Sequence, residues 1–371
     1  MALDHDLAGI FFADDYVIWG TAKALDRAVG FPDMALECFP DFVNLTSPRE
    51  PHSRARRFEA SSAPLADLGT ALDQMSKEID LQNIGAITTA SIGPFEDGKS
   101  GLVEGGRIIK GARREGWDQG IDLYGAVKSE FERRIGSVPT IRCLGDTEAH
   151  VLGEHYLFRR SNSALAQNKR NAKQMGRDTV AYLMLDEGVG GAVFQRGLFV
   201  RGEASLELGH MPVYHRDNRL KPAPCFSHKY SCLEGTIGLP NLRTSWGMDS
   251  DEIAKLEYEH DLVQSIAFYI GQAVFQLSVF YAPTVILLGG RVMDHPDLLE
   301  MVQVCYELIA SNSFDEEERV SLFPNYAAQY DTDEYIKRST MPDTGVLGCL
   351  CWSYNCLDPE GKVAQLSAKR K

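Results

Sequence analysis

Four side chains that commonly ligate metals lie close together in this sequence, within residues 210–232. They constrain the fold most, because a loop that brings four ligands to one ion can adopt few conformations. Two thiolates and two imidazoles match the ligand set of a structural zinc site, in which protein side chains fill all four tetrahedral positions. The ligands are His210, Cys225, His228 and Cys232. The alternative is two buried cysteines beside unrelated surface histidines.

Length and charge narrow the class of protein. A chain of 371 residues is long enough for two domains that each bury a core. Its 8 cysteines are too few for a disulfide scaffold, so clustered cysteines are interpreted first as metal ligands. The net charge of −14 disfavours nucleic acids and anionic membranes. An acidic start and the lack of a long apolar stretch predict a cytoplasmic protein that binds neither DNA nor membrane.

The pattern of apolar residues is typical of an α/β protein. Short apolar runs that end at glycine or acidic turns alternate with helical patterns. The predicted strands lie in residues 9–20, 81–93, 179–194 and 283–290. The last of these is continuous and ends in two glycines, which is typical of a buried parallel strand. Residues 251–281 have helical spacing, and the Pro-, Ser- and Arg-rich residues 47–65 predict a surface loop.

Three carboxylates are candidates for chemistry. Asp146 follows the apolar stretch VPTIRCL and precedes an apparent helix, which places it at the end of a strand, where open α/β sheets bind ligands. It is a candidate general base, and the alternative is a helix N-cap. Glu207 and Glu234 flank the Cys/His set, so the metal loop would hold them close together. Carboxylates suit the hydroxyls of a sugar, and the alternative is a pair of solvated surface acids.

These motifs resemble, in order and over nearly the whole chain, those of the ROK family (repressors, open reading frames and sugar kinases). The nearest branch is its zinc-containing fructokinases. GDTEAHVLGEH resembles the family motif Asp-x-Asn-Ala-Ala-x-Leu-Gly-Glu, and ELGHMPV with CFSHKYSCLEG resembles the Glu-x-Gly-His and Cys/His zinc signature. The further matching segments are ASIGPFEDG, GARREGWDQGIDLYGAVKSEF, PTVILLGGRVM and DTGVLGCL.

The resemblance implies an α/β, two-lobed, actin-like and hexokinase-like (ribonuclease H-like) fold with a zinc loop at residues 207–234. The lobes would be residues 1–150 and 151–371, with the C-terminal helix able to pack back on the first lobe. Such lobes close on a sugar, here a fructose-type hexose, and Asp146 takes the position of the catalytic base. The implied sugar contacts are Glu207, His210, Glu234 and Glu148, of which His210 is shared with zinc and Glu148 replaces the family's Asn. A homodimer is also expected.

The segments that the family uses for ATP phosphates differ in this chain. Acidic residues replace the Gly-Gly-Thr-Lys and Gly-Thr-Gly loops, and Arg291 replaces a usual glycine. Acids that face a triphosphate repel it unless metal ions intervene. The residues that correspond to the family's nucleotide site are Asp14, Asp15, Asp186, Glu187, Gly188, Gly289 and Gly290.

Three functions therefore stay open. The first is an ATP-dependent hexose kinase that uses ATP and Mg²⁺, with the extra acids recruiting metal. The second is an ATP-independent sugar enzyme, such as a glycoside hydrolase, that pairs Asp146 with another carboxylate. The third is a non-catalytic sugar sensor, which would act through another protein because no helix-turn-helix is expected before residue 9. Residues 159–177 are rich in Lys and Arg and predict a solvated surface segment, and the alternative is contact with an anionic group or a neighbouring subunit.

Overall fold

The structure is a computed structural model. It describes residues 5–23, 53–96, 105–110, 114–163, 179–215, 225, 227–311, 332–339 and 344–357. Most of the basic segment 159–177 lies outside the described residues. The chain divides into two compact units, of which the first comprises Met1–Gly176, Gly197–Ser205 and Asp343–Lys371 and the second comprises Arg177–Arg196 and Leu206–Pro342. From the sequence, the second lobe was expected to begin at residue 151.

Strands and helices alternate along most of the chain, as the apolar pattern predicts. The strands are β1 (Asp6–Phe12), β2 (Tyr16–Lys23), β3 (Ser53–Glu59), β4 (Ile84–Ser91), β5 (Arg107–Ile108), β6 (Ile121–Asp122), β7 (Thr140–Gly145), β8 (Thr179–Leu185), β9 (Val189–Gln195), β10 (Leu198–Phe199), β11 (Val285–Gly289) and β12 (Ile336–Arg338). The α-helices are α1 (Pro64–Met75), α2 (Leu123–Ile135), α3 (Asp146–Ser163), α4 (Leu233–Ile237), α5 (Leu239–Trp246), α6 (Ser250–Ile253), α7 (Asp261–Tyr281), α8 (Leu298–Ser311), α9 (Thr332–Tyr335) and α10 (Thr344–Leu357).

The sheet of the first unit has the strand order β3-β2-β1-β4-β7. β1 pairs antiparallel with β2 and parallel with β4, and β4 pairs parallel with β7. Helix α10 lies directly on β1, because a Cβ at Gly9 would meet the Cβ of Cys349 at 2.8 Å, and the Ser353 hydroxyl donates to the Ala8 carbonyl at 2.8 Å. Because β4 and β7 are parallel, their carboxyl ends lie at the same edge of the sheet. Helix α3 begins at this edge, directly after β7.

Two features of the first unit differ from the sequence prediction. Residues 47–65 were expected to form a loop, but Ser53–Glu59 forms the edge strand β3, antiparallel to β2. Charged side chains are common on edge strands, because they hinder pairing with other chains; Arg57 lies 3.5 Å from the centre of the Tyr16 ring. The second difference is that residues 9–20 belong to two strands, which turn at Asp14 and Asp15.

In the second unit the strands run in the order β9-β8-β11-β12. β8 and β9 form an antiparallel hairpin, and β11 pairs parallel with both β8 and β12, so the predicted buried parallel strand is confirmed. The ends of β8 and β11 meet closely: Gly290 has φ +92°, and a Cβ there would meet the Leu185 carbonyl oxygen at 2.3 Å. Only glycine fits such a position.

The helical pattern of residues 251–281 is interrupted in the structure, where it forms the short α6 and the long α7. Among the described residues, α7 is the one helix that is long and apolar enough to cross a membrane. Of its most apolar 18-residue stretch, 61% is buried inside the protein. Its apolar stripe, which includes Ile266, Ile270 and Val274, is fully buried in the unit. This burial is typical of a core helix.

Candidate functional site

Asp146 is the first residue of α3 and directly follows β7. Its side chain is half-buried, and one carboxylate oxygen accepts a hydrogen bond from the Thr147 backbone N–H at 2.6 Å. Desolvation by the surrounding protein is the main reason that its pKa rises from 3.8 to about 7, and the charges of Asp14 and Glu148 raise it further, whereas Arg114 lowers it. A carboxylate with this pKa can exchange protons near neutral pH, as general acid–base catalysis requires.

Arg114 is a residue of this site that the sequence analysis did not single out. Its guanidinium lies 5.7 Å from the centre of the Trp117 ring, and its Nη1 is buried without a hydrogen-bond partner among the described residues. Burial, the largest effect, lowers its pKa, and four carboxylates counteract that effect. These carboxylates belong to Asp14, Asp67, Asp15 and Asp146. Arg114 lies two residues before the Gly-Trp pair in GARREGW. This was the one available signal, but most arginines in such polar segments are solvated.

Glu148, predicted as a sugar contact, is buried, with 3% of its surface exposed. One carboxylate oxygen accepts from Arg201 Nε at 2.6 Å and lies 3.4 Å from the Ser205 hydroxyl. The other accepts from the Gly145 backbone N–H at 3.0 Å. Described protein donors thus occupy at least three of the roughly four acceptor positions of the Glu148 carboxylate. In this arrangement Glu148 fixes the turn that carries Asp146.

The four predicted metal ligands lie together in the second unit. Their ligand atoms are all within 4.8 Å of one another. His210 Nδ1 lies 3.4 Å from Cys225 Sγ and 3.6 Å from Cys232 Sγ. A tetrahedral ion with Zn–N of about 2.0 Å and Zn–S of about 2.3 Å separates nitrogen and sulfur ligands by roughly 3.5 Å. The donor set and its spacing therefore fit a zinc ion.

Local structure orients the individual ligands. Cys232 is the N-cap of α4, and its sulfur accepts from the Gly235 backbone N–H at 3.3 Å. The Nδ1 of His228 accepts from the Tyr230 N–H at 3.2 Å, which leaves its Nε2 for an ion. Burial raises the pKa of the Cys232 thiol to about 11. A bound cation is therefore needed to hold this sulfur as a thiolate.

Glu207 and Glu234 both lie beside this cluster. The Nε2 of His210, which faces away from the thiols, is 3.8 Å from a carboxylate oxygen of Glu207. Glu234 accepts from the Val189 backbone N–H at 3.0 Å, and its other oxygen lies 3.7 Å from Cys225 Sγ. One imidazole thus connects the metal ligands to an exposed carboxylate.

The turn between β8 and β9 carries two acidic residues that are both paired with arginines. The Asp186 carboxylate accepts from Arg291 three times, from the backbone N–H at 3.0 Å, from Nε at 2.8 Å and from Nη2 at 2.5 Å. Glu187 accepts from Arg291 Nη2 at 3.0 Å and from both terminal nitrogens of Arg243, one of them at 2.7 Å. Arg243 also pairs with Asp249 at 3.1 Å. We call these five residues the arginine–carboxylate network.

The network changes the interpretation of the acidic residues that replace the family's phosphate-binding loops. From the sequence, Asp186 and Glu187 were expected to face a triphosphate with their negative charges, but both carboxylates are paired with guanidinium groups. Arg291, which stands where the family has glycine, is itself a partner of the two acids. Asp14 and Asp15, the other acidic pair, lie in the β1–β2 turn of the first unit, and the charge of Asp14 acts on Asp146.

Comparison of the sequence with known proteins identifies a family. The sequence model of the ROK family matches residues 68–332, which is more than half of the chain. A fructokinase from Lactococcus lactis subsp. cremoris is 26% identical over 280 residues, which cover 75% of this chain and 82% of that protein.

Comparison with solved structures concerns the fold. A ROK hexokinase from Thermus thermophilus aligns with a TM-score of 0.58 at 17% identity and covers 95% of this chain and 99% of that one. A ROK family glucokinase from Streptomyces griseus, solved in complex with glucose and AMPPNP, aligns with a TM-score of 0.55 at 13% identity and covers 96% of this chain and 100% of that one. The predicted two-lobed, actin-like fold is thus confirmed. With this fold and the family match, the chain belongs to the ROK family.

Proposed function

We propose that this chain binds a hexose and transfers a phosphoryl group to one of its hydroxyls. The observation that carries the proposal is the position of Asp146 at the end of β7, with a pKa of about 7. In the proposed step the carboxylate accepts the proton of a sugar hydroxyl while that oxygen bonds to the γ-phosphorus of ATP. The bond from phosphorus to the departing ADP oxygen then breaks. Mg²⁺ would accompany ATP, and a fructose-type hexose is supported by the similarity to a fructokinase.

The function is tested by incubating the purified protein with a panel of hexoses, with and without MgATP. Formation of a hexose phosphate that requires MgATP is the expected result. The panel should include fructose, glucose and mannose, and the products should be identified by mass spectrometry. Release of ADP without a sugar phosphate would contradict phosphoryl transfer to a sugar.

We assign zinc to the cluster in the second unit, held by His210, Cys225, His228 and Cys232. With all four positions filled by protein, the ion would have a structural role and would restrain the segment that carries Glu207 and Glu234. His210 would bind it through Nδ1, so that its Nε2–H can donate to a sugar oxygen. This division of one imidazole between ion and substrate is supported by the direction of its two nitrogens.

Replacing Glu207 or Glu234 by alanine is expected to weaken hexose binding. Each carboxylate is proposed to accept hydrogen bonds from sugar hydroxyls, and the loss of such an acceptor costs about 1–3 kcal/mol. Calorimetric titration of each variant with the hexose that the wild type uses would measure the loss. Glu259→Ala, which removes an exposed carboxylate of the same unit, is the control. Unchanged affinity in both variants would place the sugar elsewhere.

The pH dependence of turnover is expected to follow Asp146. A general base must be ionised, so kcat/KM should rise with pH and reach half of its maximum near pH 7. Arg114→Gln removes a charge that lowers the pKa of Asp146, so the midpoint should move to higher pH. Asp14→Asn removes a charge that raises this pKa, so the midpoint should move to lower pH. A pH midpoint that moves in the same direction in both variants would contradict this electrostatic arrangement.

The second candidate is an ATP-independent enzyme that acts on a sugar with paired carboxylates, such as a glycoside hydrolase. A specific observation favours it: Asp14 and Asp146 interact electrostatically in the first unit, and the pKa of Asp146 is raised. One protonated and one ionised carboxyl group are what glycoside cleavage requires. Product formation from a glycoside without any nucleotide would support this function over the kinase. Binding of a sugar without any turnover would instead support a non-catalytic sensor.

Other expectations stay predictions from the sequence. They are a cytoplasmic location, a homodimer and a lack of binding to DNA and membranes. The sugar-contact role of Glu148 and the nucleotide roles of Asp14, Asp15, Asp186, Glu187, Gly188, Gly289 and Gly290 also stay predictions. Size-exclusion chromatography with light scattering would measure the oligomeric state.

A further inference from the structure

The arginine–carboxylate network lies at the end of the sheet where α/β proteins bind ligands. β8 and β11 are parallel neighbours, so the turns that follow them meet at their carboxyl ends. Ligands of open α/β sheets bind at this end. The close approach of Gly290 to the Leu185 carbonyl shows how tightly the two turns pack. In this chain, hydrogen bonds between Asp186 and Arg291 join the two turns.

The network uses hydrogen-bond donors of the kind that bind phosphate. Guanidinium groups bind carboxylates and phosphates with the same fork of donors. Here the Asp186 carboxylate accepts hydrogen bonds from the Arg291 backbone N–H, at 3.0 Å, and from two guanidinium nitrogens of Arg291. Glu187 takes both terminal nitrogens of Arg243. The guanidinium groups of Arg291 and Arg243 are thus already held by carboxylates of the same chain.

The two departures from the family pattern compensate each other. Asp186 and Glu187 alone would leave two negative charges at the turn, and Arg291 alone would leave a positive charge that attracts anions. With Arg243, these residues form consecutive ion pairs: Asp186 with Arg291, Arg291 with Glu187, and Glu187 with Arg243. Their side chains are partly buried. Pairs of this kind are screened less than fully exposed ones.

We propose that this network weakens the binding of nucleoside triphosphates at the turn between β8 and β9, because its carboxylates hold the arginines there. The inference rests on the proposed function, since it concerns the donor for the same sugar. An incoming triphosphate would have to separate the carboxylates from Arg291 and Arg243 and would then meet the charges of Asp186 and Glu187.

The test uses a variant that removes one pair while the net charge of the chain stays the same. Glu187→Gln/Arg243→Gln keeps the backbone contacts of the turn, because Glu187 joins the network through its side chain. The second variant, Asp186→Asn/Arg291→Gln, removes the other pair. The control is Glu334→Gln/Lys337→Gln, which removes an ion pair of 2.6 Å in the same unit. Melting temperatures of all variants would verify folding.

Calorimetry with MgATP and, separately, with inorganic tripolyphosphate then measures binding. The expected result is weak binding by the wild type and the control, and affinity for both ligands that is higher by at least about tenfold in one or both network variants, equivalent to about 1.4 kcal/mol. Lower affinity in both network variants would show that the arginines bind phosphate themselves and would overturn the proposal. Equal affinity in all four proteins would overturn it as well.

This experiment requires no turnover, so it is independent of the test of the proposed function. A protein that phosphorylates a hexose while its network variants bind MgATP no better refutes the inference alone. A protein that never phosphorylates a sugar, but whose network variants gain MgATP affinity, refutes the proposed kinase and still shows that the network weakens triphosphate binding.

Discussion

Asp146→Asn is expected to lower the rate of sugar turnover by a factor of about 10² or more, while the protein stays folded. An amide cannot accept the proton of the sugar hydroxyl at neutral pH, so the attacking oxygen keeps that proton. The substitution is nearly isosteric, and the amide oxygen can still accept the hydrogen bond from the Thr147 N–H. Turnover with and without MgATP, together with hexose affinity, should be measured on the same preparation.

The matched control for this variant is Asp122→Asn. Asp122 is also an aspartate at the start of a helix of the first unit, and its carboxylate accepts from the Gly125 N–H at 2.9 Å. It is exposed, so its substitution should leave the rate within about twofold of wild type. Full activity of Asp146→Asn would contradict both the kinase and the carboxylate-based enzyme, because each requires this residue as base.

The second large effect is expected at the metal cluster. Purified protein should contain about one zinc per chain, and Cys232→Ala should lose this metal and lower the free energy of unfolding by about 4 kcal/mol or more. The substitution removes a buried ligand and also the N-cap of α4. Metal analysis by mass spectrometry and thermal denaturation would measure both losses, and a chelator should reproduce the destabilisation in the wild type.

Cys356→Ala is the control for the metal prediction. Cys356 lies in α10, in the first unit, and its side chain is half-buried. It does not belong to the Cys/His set of the second unit. Its removal should leave the zinc content unchanged. Zinc absent from the wild type, or retained in full by Cys232→Ala, would refute the assignment of the four ligands.

The patterns that predicted structure correctly are local in the sequence. The hairpin of β8 and β9 follows from two apolar runs around a glycine-containing turn, and β11 follows from one continuous apolar run before two glycines. The position of Asp146 at a strand-to-helix junction also follows from the residues on either side. The metal ligands of residues 225–232 and His210 share one short segment, so their proximity in space is a consequence of their proximity along the chain.

The strand β3 was missed because its sequence is rich in arginine. An edge strand requires few apolar residues, since one side of it is solvated and its hydrogen bonds come from the backbone of a neighbour. The pairing of Ser53–Glu59 with β2 joins residues that are far apart in the sequence, such as Tyr16 with Glu59 and Ala22 with Ser53. Composition alone could not distinguish this segment from a solvated loop.

The sequence by itself determined the fold class, the family, the four candidate metal ligands and the candidate base. Tertiary structure alone decided which charges are paired: Glu148 meets Arg201 across 53 positions, Glu187 meets Arg243 across 56, and Asp186 meets Arg291 across 105. The same holds for Arg114, whose charge acts on Asp146. The physical reason is that hydrophobic periodicity reports on local conformation, whereas the energy of a charge depends on burial and on partners that only the folded chain brings within hydrogen-bonding distance.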